Sequence, residues 1–292
     1  MSSSLERNSP CKVNLLLNIL RKREDGFHEL ETVMHPVAIC DRLTFARRPE
    51  GIGLSCNDRR LPTDSRNLVY RAAAAFLKAA EIADGVSIRL EKKIPLAAGL
   101  GGGSGNAAVT LLGLNELFGH PLAGEKLFEL AAVLGSDVPF FLQDKPALAT
   151  GRGEKLEPCE PFAAMRGAFF LLLHPGFGVS TAWAYQNLAR FPAAVNGEHG
   201  RGQRLIGLLK EPDLKAAGAA FYNSLEAPVL EKYPILAMYQ EFMRASGATS
   251  ALMSGSGSTT FAVFTDQAAA EQTAERMKAK FGETCWTAVV GA

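Results

Sequence analysis

The chain has 292 residues, 47% of them hydrophobic and 21% charged, enough for two modest domains with real cores. Its 31 Lys and Arg against 30 Asp and Glu leave a formal net charge of +1, which gives no electrostatic ground for binding nucleic acid or an anionic membrane. The five cysteines show no C-x-x-C and the five histidines no H-E-x-x-H pair, so reduced thiols in a cytoplasmic protein without a zinc site are expected.

In chain order, strands are expected at Lys12–Leu20, Glu31–Ile39 and Asp41–Arg47, the first two joined by the charged stretch Arg21–Leu30. The first run does not read as a signal peptide, because Asn14 and Asn18 interrupt it and its basic cluster follows it. Pro49–Arg66 reads as loop with room for one short strand. Leu68–Ile82 is a predicted helix with Asn67 as its cap. A strand at Val86–Glu91 leads into a glycine loop and an apolar helix, Asn106–Phe118, and a further helix runs Glu125–Leu134. Ala147–Leu156 reads as strand and turn, and the Pro-rich piece Pro158–Pro161 marks the boundary between domains 1–162 and 163–292. Beyond it come a strand at Ala168–His174 and helices at Ser180–Ala189, Arg204–Leu209, Leu214–Tyr222 and Pro234–Ser246. The end reads as strand Ser250–Met253, turn Ser254–Ser258, strand Thr259–Thr265, helix Gln267–Phe281 and strand Trp286–Val290. This order suits two α+β domains rather than one alternating parallel sheet.

The glycine loop runs Pro95-Leu96-Ala97-Ala98-Gly99-Leu100-Gly101-Gly102-Gly103-Ser104-Gly105 and opens directly into the Asn106 helix. Glycines let the backbone approach an anion and adopt positive φ without Cβ strain. The first turn of a helix offers unpaired N–H groups at the positive end of its dipole. A phosphate is therefore the expected ligand, with the Ser104 hydroxyl at hand. No Lys follows as in a P-loop, Ser104 stands where a dinucleotide fingerprint needs its third Gly, and Asn106 stands where a hydrolase elbow needs its last.

Two ionisable residues stand out. Lys12 begins an apolar strand, where its charge needs a partner or water; an edge position with the head in solvent would satisfy it. Asp137 lies in the turn Gly135-Ser136-Asp137-Val138-Pro139 after a helix, where turn chemistry alone would account for it.

The glycine stretch resembles the second motif of the GHMP kinases: Pro, three residues, Gly-Leu, small residues with a Ser, then an Ala-rich helix. Further segments agree in family order from Pro10 to about Phe264. They are Pro10-Cys11-Lys12-Val13-Asn14-Leu15, Asp25-Gly26-Phe27-His28-Glu29-Leu30, Asn67-Leu68-Val69, Leu134–Pro139, His174-Pro175-Gly176 and Ser254-Gly255-Ser256-Gly257-Ser258. The resemblance implies an N-terminal domain of the ribosomal S5 domain 2 type and a ferredoxin-like C-terminal domain, with both substrates in the cleft between them. It implies ATP on Pro95, Gly99, Leu100, Gly101, Gly102, Gly103, Ser104 and Gly105, with Asn67 and Leu68 bordering the adenine and Mg²⁺ bridging the phosphates. The opening signature is similar to the family branch whose acceptor is CDP-methylerythritol, an isoprenoid precursor phosphorylated on its 2-hydroxyl. Asp137 would then take the hydroxyl proton, Lys12 would stand beside both, and Asn14 would hydrogen-bond the polyol. Phe27 and Tyr185 suit the faces of a cytosine, His28 and Thr181 its edge, and Gly255 and Ser256 the acceptor side. Phe27 replaces the usual Tyr, Cys11 a common Ala, and Ser224 the Asp of a common Asn-Asp-[Leu/Phe]-Glu run. A GHMP kinase of the homoserine or mevalonate type and a non-catalytic nucleotide-binding relative are the other readings. A monomer or weak homodimer is expected.

Overall fold

The structure is a computed structural model and describes residues 4–292. Its elements, in chain order, are β1 (Leu5–Lys22), β2 (His28–Arg48), β3 (Ile52–Cys56), α1 (Leu68–Ala79), β4 (Gly85–Glu91), α2 (Gly102–Leu117) and α3 (Gly124–Leu134). There follow β5 (Ala147–Gly151), β6 (Lys155–Pro158), β7 (Phe169–His174), α4 (Thr181–Leu188), α5 (Pro192–Val195), α6 (Arg201–Lys210), α7 (Leu214–Ala219) and β8 (Tyr222–Asn223). The chain ends through α8 (Glu226–Lys232), α9 (Pro234–Ala245), β9 (Ser250–Met253), β10 (Thr260–Phe264), α10 (Gln267–Phe281) and β11 (Trp286–Gly291). Among the described residues no helix is long and apolar enough to cross a membrane.

The chain forms two compact units that are discontinuous in sequence. The first comprises the N-terminal residues through Cys11, Ile39–Ile94 and Gly101–Asp144; the second comprises Lys12–Ala38, Pro95–Leu100 and Lys145–Ala292. Strands β1 and β2 are long enough to contribute to both.

In the first unit the end of β2 pairs antiparallel with β4, Leu43 opposite Leu90 and Phe45 opposite Ile88, and β3 adds parallel to β4. Helix α1 packs on α2. Its cap is the expected one: the Asn67 side chain accepts from the Val69 N–H. A Cβ at Gly113 of α2 would run into the Phe45 ring, so a glycine is what lets this helix lie on the strand.

In the second unit β7, β9, β10 and β11 form an antiparallel four-stranded sheet in the order β11-β7-β10-β9. With the helices before β9 this is the β-α-β-β-α-β arrangement of ferredoxin-like domains. Alternate residues serve two faces. Leu171, Leu173, Ala262 and Phe264 join Met243, Ala274 and Met277 in one cluster. On the other face Phe170 meets Phe261 edge-on, with ring centroids 5.8 Å apart. The start of β2 pairs with β5, β5 turns into β6, and β8 adds parallel to β1 at Leu16 and Leu17.

Two expectations are corrected. The helix α2 begins at Gly102, not Asn106, so three of the glycines form its first turn. The predicted helix Leu214–Tyr222 stops at Ala219, because Tyr222 and Asn223 are drawn into extended pairing with Leu16 and Leu17. Asp41–Arg47 continues the strand Glu31–Ile39 as expected, within the single strand β2. The short helices α5 and α8 were not expected.

His35 of β2 lies against Phe162 and Phe170, and its Nδ1 is 2.7 Å from the Pro36 carbonyl. Burial pushes the imidazole down from 6.5 to about 4. The unfolded chain therefore binds the proton first, and stability falls as the pH drops from 6.5 toward 4. Urea denaturation between about pH 6.5 and 5 should show a loss of about 2 kcal/mol from this group. In His35→Gln that part of the slope disappears.

Candidate active site

The second unit gathers most of the expected acceptor-side residues. Lys12 and Asn14 occur two apart on β1 and so share one face of the strand. Both are buried, 3% and 4% exposed, among Cys11, Val13 and Leu15. The Lys12 ammonium donates to Asn14 Oδ1 at 2.5 Å and to the Gly99 carbonyl at 3.2 Å. Asn14 donates in turn to Thr32 Oγ1 at 2.8 Å, and Thr32 donates to the Leu16 carbonyl at 2.6 Å. Lys12 is thus not the edge-strand lysine that the strand alone suggested; its charge is buried and hydrogen-bonded.

The loop 95–100 and the glycine turn 254–258 close on this pair. Ser254 donates its hydroxyl to the Gly99 carbonyl at 3.0 Å, and Thr259 N–H donates to the Ala98 carbonyl at 3.1 Å. Lys12 N–H donates to the Leu100 carbonyl at 3.0 Å. A Cβ at Gly99 would collide with the Ser254 carbonyl, so no side chain fits there. Gly255 has φ +56°, and a Cβ on it would lie 3.4 Å from both Lys12 Nζ and Asn14 Oδ1. Thr181, the first residue of α4, and Ser256 share a hydroxyl hydrogen bond of 2.7 Å.

His28 and Tyr185 stand ring to ring, with centroids 5.0 Å apart and planes tilted by 39°. Burial, then the Lys22 charge, lowers the His28 pKa, so the imidazole is neutral at neutral pH and can both give and accept a hydrogen bond. Phe27 is 53% exposed, and the Arg152 guanidinium lies 4.9 Å from its ring centroid. Pro95, at the start of the same loop as Gly99 and Leu100, is half-buried.

The first unit holds the other residues. Gly101 caps α2 in the left-handed region at φ +69°, and Gly105 N–H donates to its carbonyl at 2.8 Å. Gly102, Gly103 and Ser104 complete the first turn, with no side chain capping its N–H groups. A Cβ on Gly103 would find its nearest neighbour in Leu68, 3.8 Å away, so the space over this turn is open. Asn67 also donates to the Pro62 carbonyl at 2.7 Å, which fixes the start of α1 and with it Leu68. Asp137 is half-buried on the turn between α3 and the short 3₁₀ turn Pro139–Leu142, and Val138 N–H donates to the Gly135 carbonyl at 3.1 Å.

Sequence reasoning missed the groups that hold these parts. Asp41 is fully buried, ion-paired to Lys92, and accepts from the Lys93 and Ile94 N–H groups at 2.7 and 2.9 Å. Asn106 donates to the same carboxylate at 2.9 Å and to Ser9 Oγ at 3.0 Å, anchoring the first turns of α2. The available signal was a polar residue within an apolar run, which also marks Thr32. Ser224, where the family commonly has Asp, is buried and accepts from the Ile19 N–H at 3.0 Å.

The descriptions "GHMP kinases N terminal domain" and "GHMP kinases C terminal" match residues 67–145 and 205–283. The chain belongs to the GHMP kinase family, and it is a small-molecule kinase of a family whose phosphate donor is ATP. It is 39% identical over 275 residues to the 4-diphosphocytidyl-2-C-methyl-D-erythritol kinase of Syntrophotalea carbinolica, covering 94% of each chain. To the enzyme of that name from Pelotomaculum thermopropionicum it is 42% identical over 274 residues, 92% of each. A crystal structure of 4-(cytidine 5'-diphospho)-2C-methyl-D-erythritol kinase superposes with TM-score 0.82 at 36% identity, over 99% of this chain and all of that one. Homoserine kinase from Cytophaga hutchinsonii shares the fold, with TM-score 0.76 at 22% identity over 99% of this chain and 95% of that one. The expected two-part α+β GHMP architecture is the one found.

The glycines of α2 separate packing from ligand space. A Cβ on Gly105 would come within 2.8 Å of the Pro10 carbonyl, whereas one on Gly103 meets nothing closer than Leu68. Gly105→Ala should lower stability by about 1–3 kcal/mol through overpacking. Gly103→Ala, in an exposed helical position, should leave it unchanged or raise it by about 0.5–1 kcal/mol. Thermal denaturation of the two variants checks this.

Proposed function

We propose that the protein transfers the γ-phosphoryl group of ATP to the 2-hydroxyl of 4-diphosphocytidyl-2-C-methyl-D-erythritol, a step of non-mevalonate isoprenoid precursor synthesis. The observation that carries the acceptor assignment is the identity of about 40% over more than nine-tenths of both chains to enzymes of that name. ATP would meet the first turn of α2, whose uncapped N–H groups and dipole suit phosphate oxygens. The residues from Pro95 to Gly105 would border the phosphates, and Asn67 and Leu68 the adenine. Among the described residues no three His, Cys, Asp or Glu side chains gather in one cluster. A Mg²⁺ would therefore arrive with ATP, held largely by phosphate oxygens and water, as this small, strongly hydrated cation usually is.

In this reading Asp137 takes the proton from the 2-hydroxyl as its oxygen attacks phosphorus. Lys12 neutralises negative charge that spreads over the transferred group, its head already oriented by Asn14 and Gly99. Asn14, Gly255 and Ser256 contact the polyol and its diphosphate. Tyr185 and Phe27 offer faces to the cytosine, and neutral His28 and Thr181 its edge. The chain divides into an N-terminal ATP-binding domain, 1–162, and a C-terminal GHMP kinase domain, 163–292, in a cytoplasmic protein acting as a monomer or weak homodimer.

ADP release measured with CDP-methylerythritol, homoserine and mevalonate tests the assignment. The CDP-linked substrate should be turned over far ahead of the others, and faster use of either alternative overturns it. Asp137→Asn should lower kcat by about 10²–10⁴ with the fold intact. Near-normal turnover in that variant removes Asp137 from the mechanism. Tyr185→Ala should lower kcat/KM for the CDP-linked substrate by about 5- to 150-fold, the worth of one base–aromatic stack, while ATP affinity measured without acceptor stays put. Equal damage to ATP binding would assign Tyr185 to the fold instead.

A further inference from the structure

The run Asn223-Ser224-Leu225-Glu226 joins β8 to α8, with Asn223 and Ser224 buried and Glu226 half-buried. Asn223, 2% exposed, donates both amide hydrogens, one to the Met253 carbonyl and one to the Gly255 carbonyl, each at 2.8 Å. Its own oxygen accepts from the Leu225 N–H at 2.9 Å. Glu226 accepts from the Met253 N–H at 2.8 Å and from Gln240 at 2.5 Å. Arg244 donates to Gln240 and to the Ala251 carbonyl, at 3.0 and 2.8 Å. On its other side the run is sewn to β1: Ser224 N–H donates to the Leu17 carbonyl, and Ser224 Oγ accepts from Ile19 N–H. Three side-chain hydrogen bonds from this run thus converge on residues 253–255, the segment whose Gly255 lies against Lys12 and Asn14.

We propose that Asn223 and Glu226 are positioning residues that clamp the glycine turn 254–258 onto the Lys12–Asn14 pair and so set the acceptor side of the site. Neither touches substrate; both act through the backbone of Met253 and Gly255. The turn cannot drift outward without breaking both amide bonds of Asn223, and it cannot slide along β9 without leaving Glu226. The nucleotide side depends less on the clamp: the first turn of α2 is anchored by Asn106, Asp41 and Ser9, and of the glycine loop only Gly99 is hydrogen-bonded to the turn, by Ser254. Burial raises the pKa of Glu226, with Met253 N–H, Gln240 and the Arg244 charge opposing the rise. Both hydrogen bonds fall on one oxygen of Glu226, which the amide oxygen of a Gln also supplies, so an uncharged isostere at this position should serve as well as the carboxylate.

The proposal rests on the reading of Lys12 and Gly255 as acceptor-side groups, and its test keeps the two apart. Asn223→Asp keeps size but sets carboxylate oxygens against two carbonyls. It should lower kcat by about 10- to 100-fold, as expected for a misplacement of about 1 Å, and raise the acceptor KM. ATP affinity, titrated without acceptor, should stay within about twofold. Amide exchange at residues 253–257 should quicken while the β7 and β10 amides stay protected. Glu226→Ala should repeat this pattern and Glu226→Gln should restore it, so the pair decides the matter if Asn223→Asp does not fold. Unchanged kinetics in folded variants, or activity loss that follows the unfolded fraction or an equal loss of ATP affinity, overturns the clamp. If wild type fails to phosphorylate the CDP-linked acceptor, the functional reading falls, and exchange at 253–257 alone then decides the clamp.

Discussion

An ammonium group buried in an apolar strand is the constraint around which the second unit is arranged. Lys12 lies between residues that exclude water completely. A charge in such surroundings is tolerated only when acceptors replace its hydration. Asn14 supplies one from the same face of the strand, and the Gly99 carbonyl supplies another. That carbonyl also accepts the Ser254 hydroxyl, so its two lone pairs join β1, the loop 95–100 and the turn 254–258. Each supporting group then needs its own support, which Thr32 gives to Asn14 and Asn223 to Gly255. The result is a connected polar network in which the position of a buried cation is set by bonds on several elements.

The first unit repeats the strategy with the opposite sign. Asp41 is a fully buried carboxylate that accepts from two backbone N–H groups, from Asn106 and from Lys92. A pair of this kind adds little net stability over well-packed apolar residues, but losing one partner strands the other charge. Its position at the exit of β4 and the first turns of α2 gives it a different use. It fixes where the helix begins, and therefore where its free N–H groups point. The glycines above it divide the remaining work. Gly105 lets α2 approach β1, Gly101 supplies the left-handed entry, and Gly103 leaves the surface open.

The parts to which the proposed function assigns chemistry therefore sit on rigid elements: a central strand, a helix mouth and a turn pinned at both ends. Phe27 is the exception. It is exposed on a loop, braced by Arg152 from one side. The Arg152 guanidinium gives its ring a cation–π contact. Ser224 shows the converse case. It lacks the carboxylate common at its position, yet keeps the single acceptor that the Ile19 N–H requires.

The sequence by itself determined the element types wherever periodicity ran long, as in α1, α9, α10 and the strands of the ferredoxin-like sheet. It also marked the groups proposed here to carry chemistry, because a Lys in an apolar strand, a run of glycines before a helix and an Asp in a tight turn are local oddities readable without a fold. Tertiary structure alone decided what those groups touch. It drew Tyr222 out of a helical pattern to complete, with Asn223, the edge of β1, since unpaired strand N–H and C=O groups outweigh a few tenths of a kcal/mol of helix propensity. It buried Lys12, which the strand alone would have left in solvent. It assembled Asn223, Glu226, Asp41 and Asn106 into supports that no spacing announces. Their partners lie tens of residues or more away in the chain, and hydrogen bonds of that separation exist only once the backbone has closed around them.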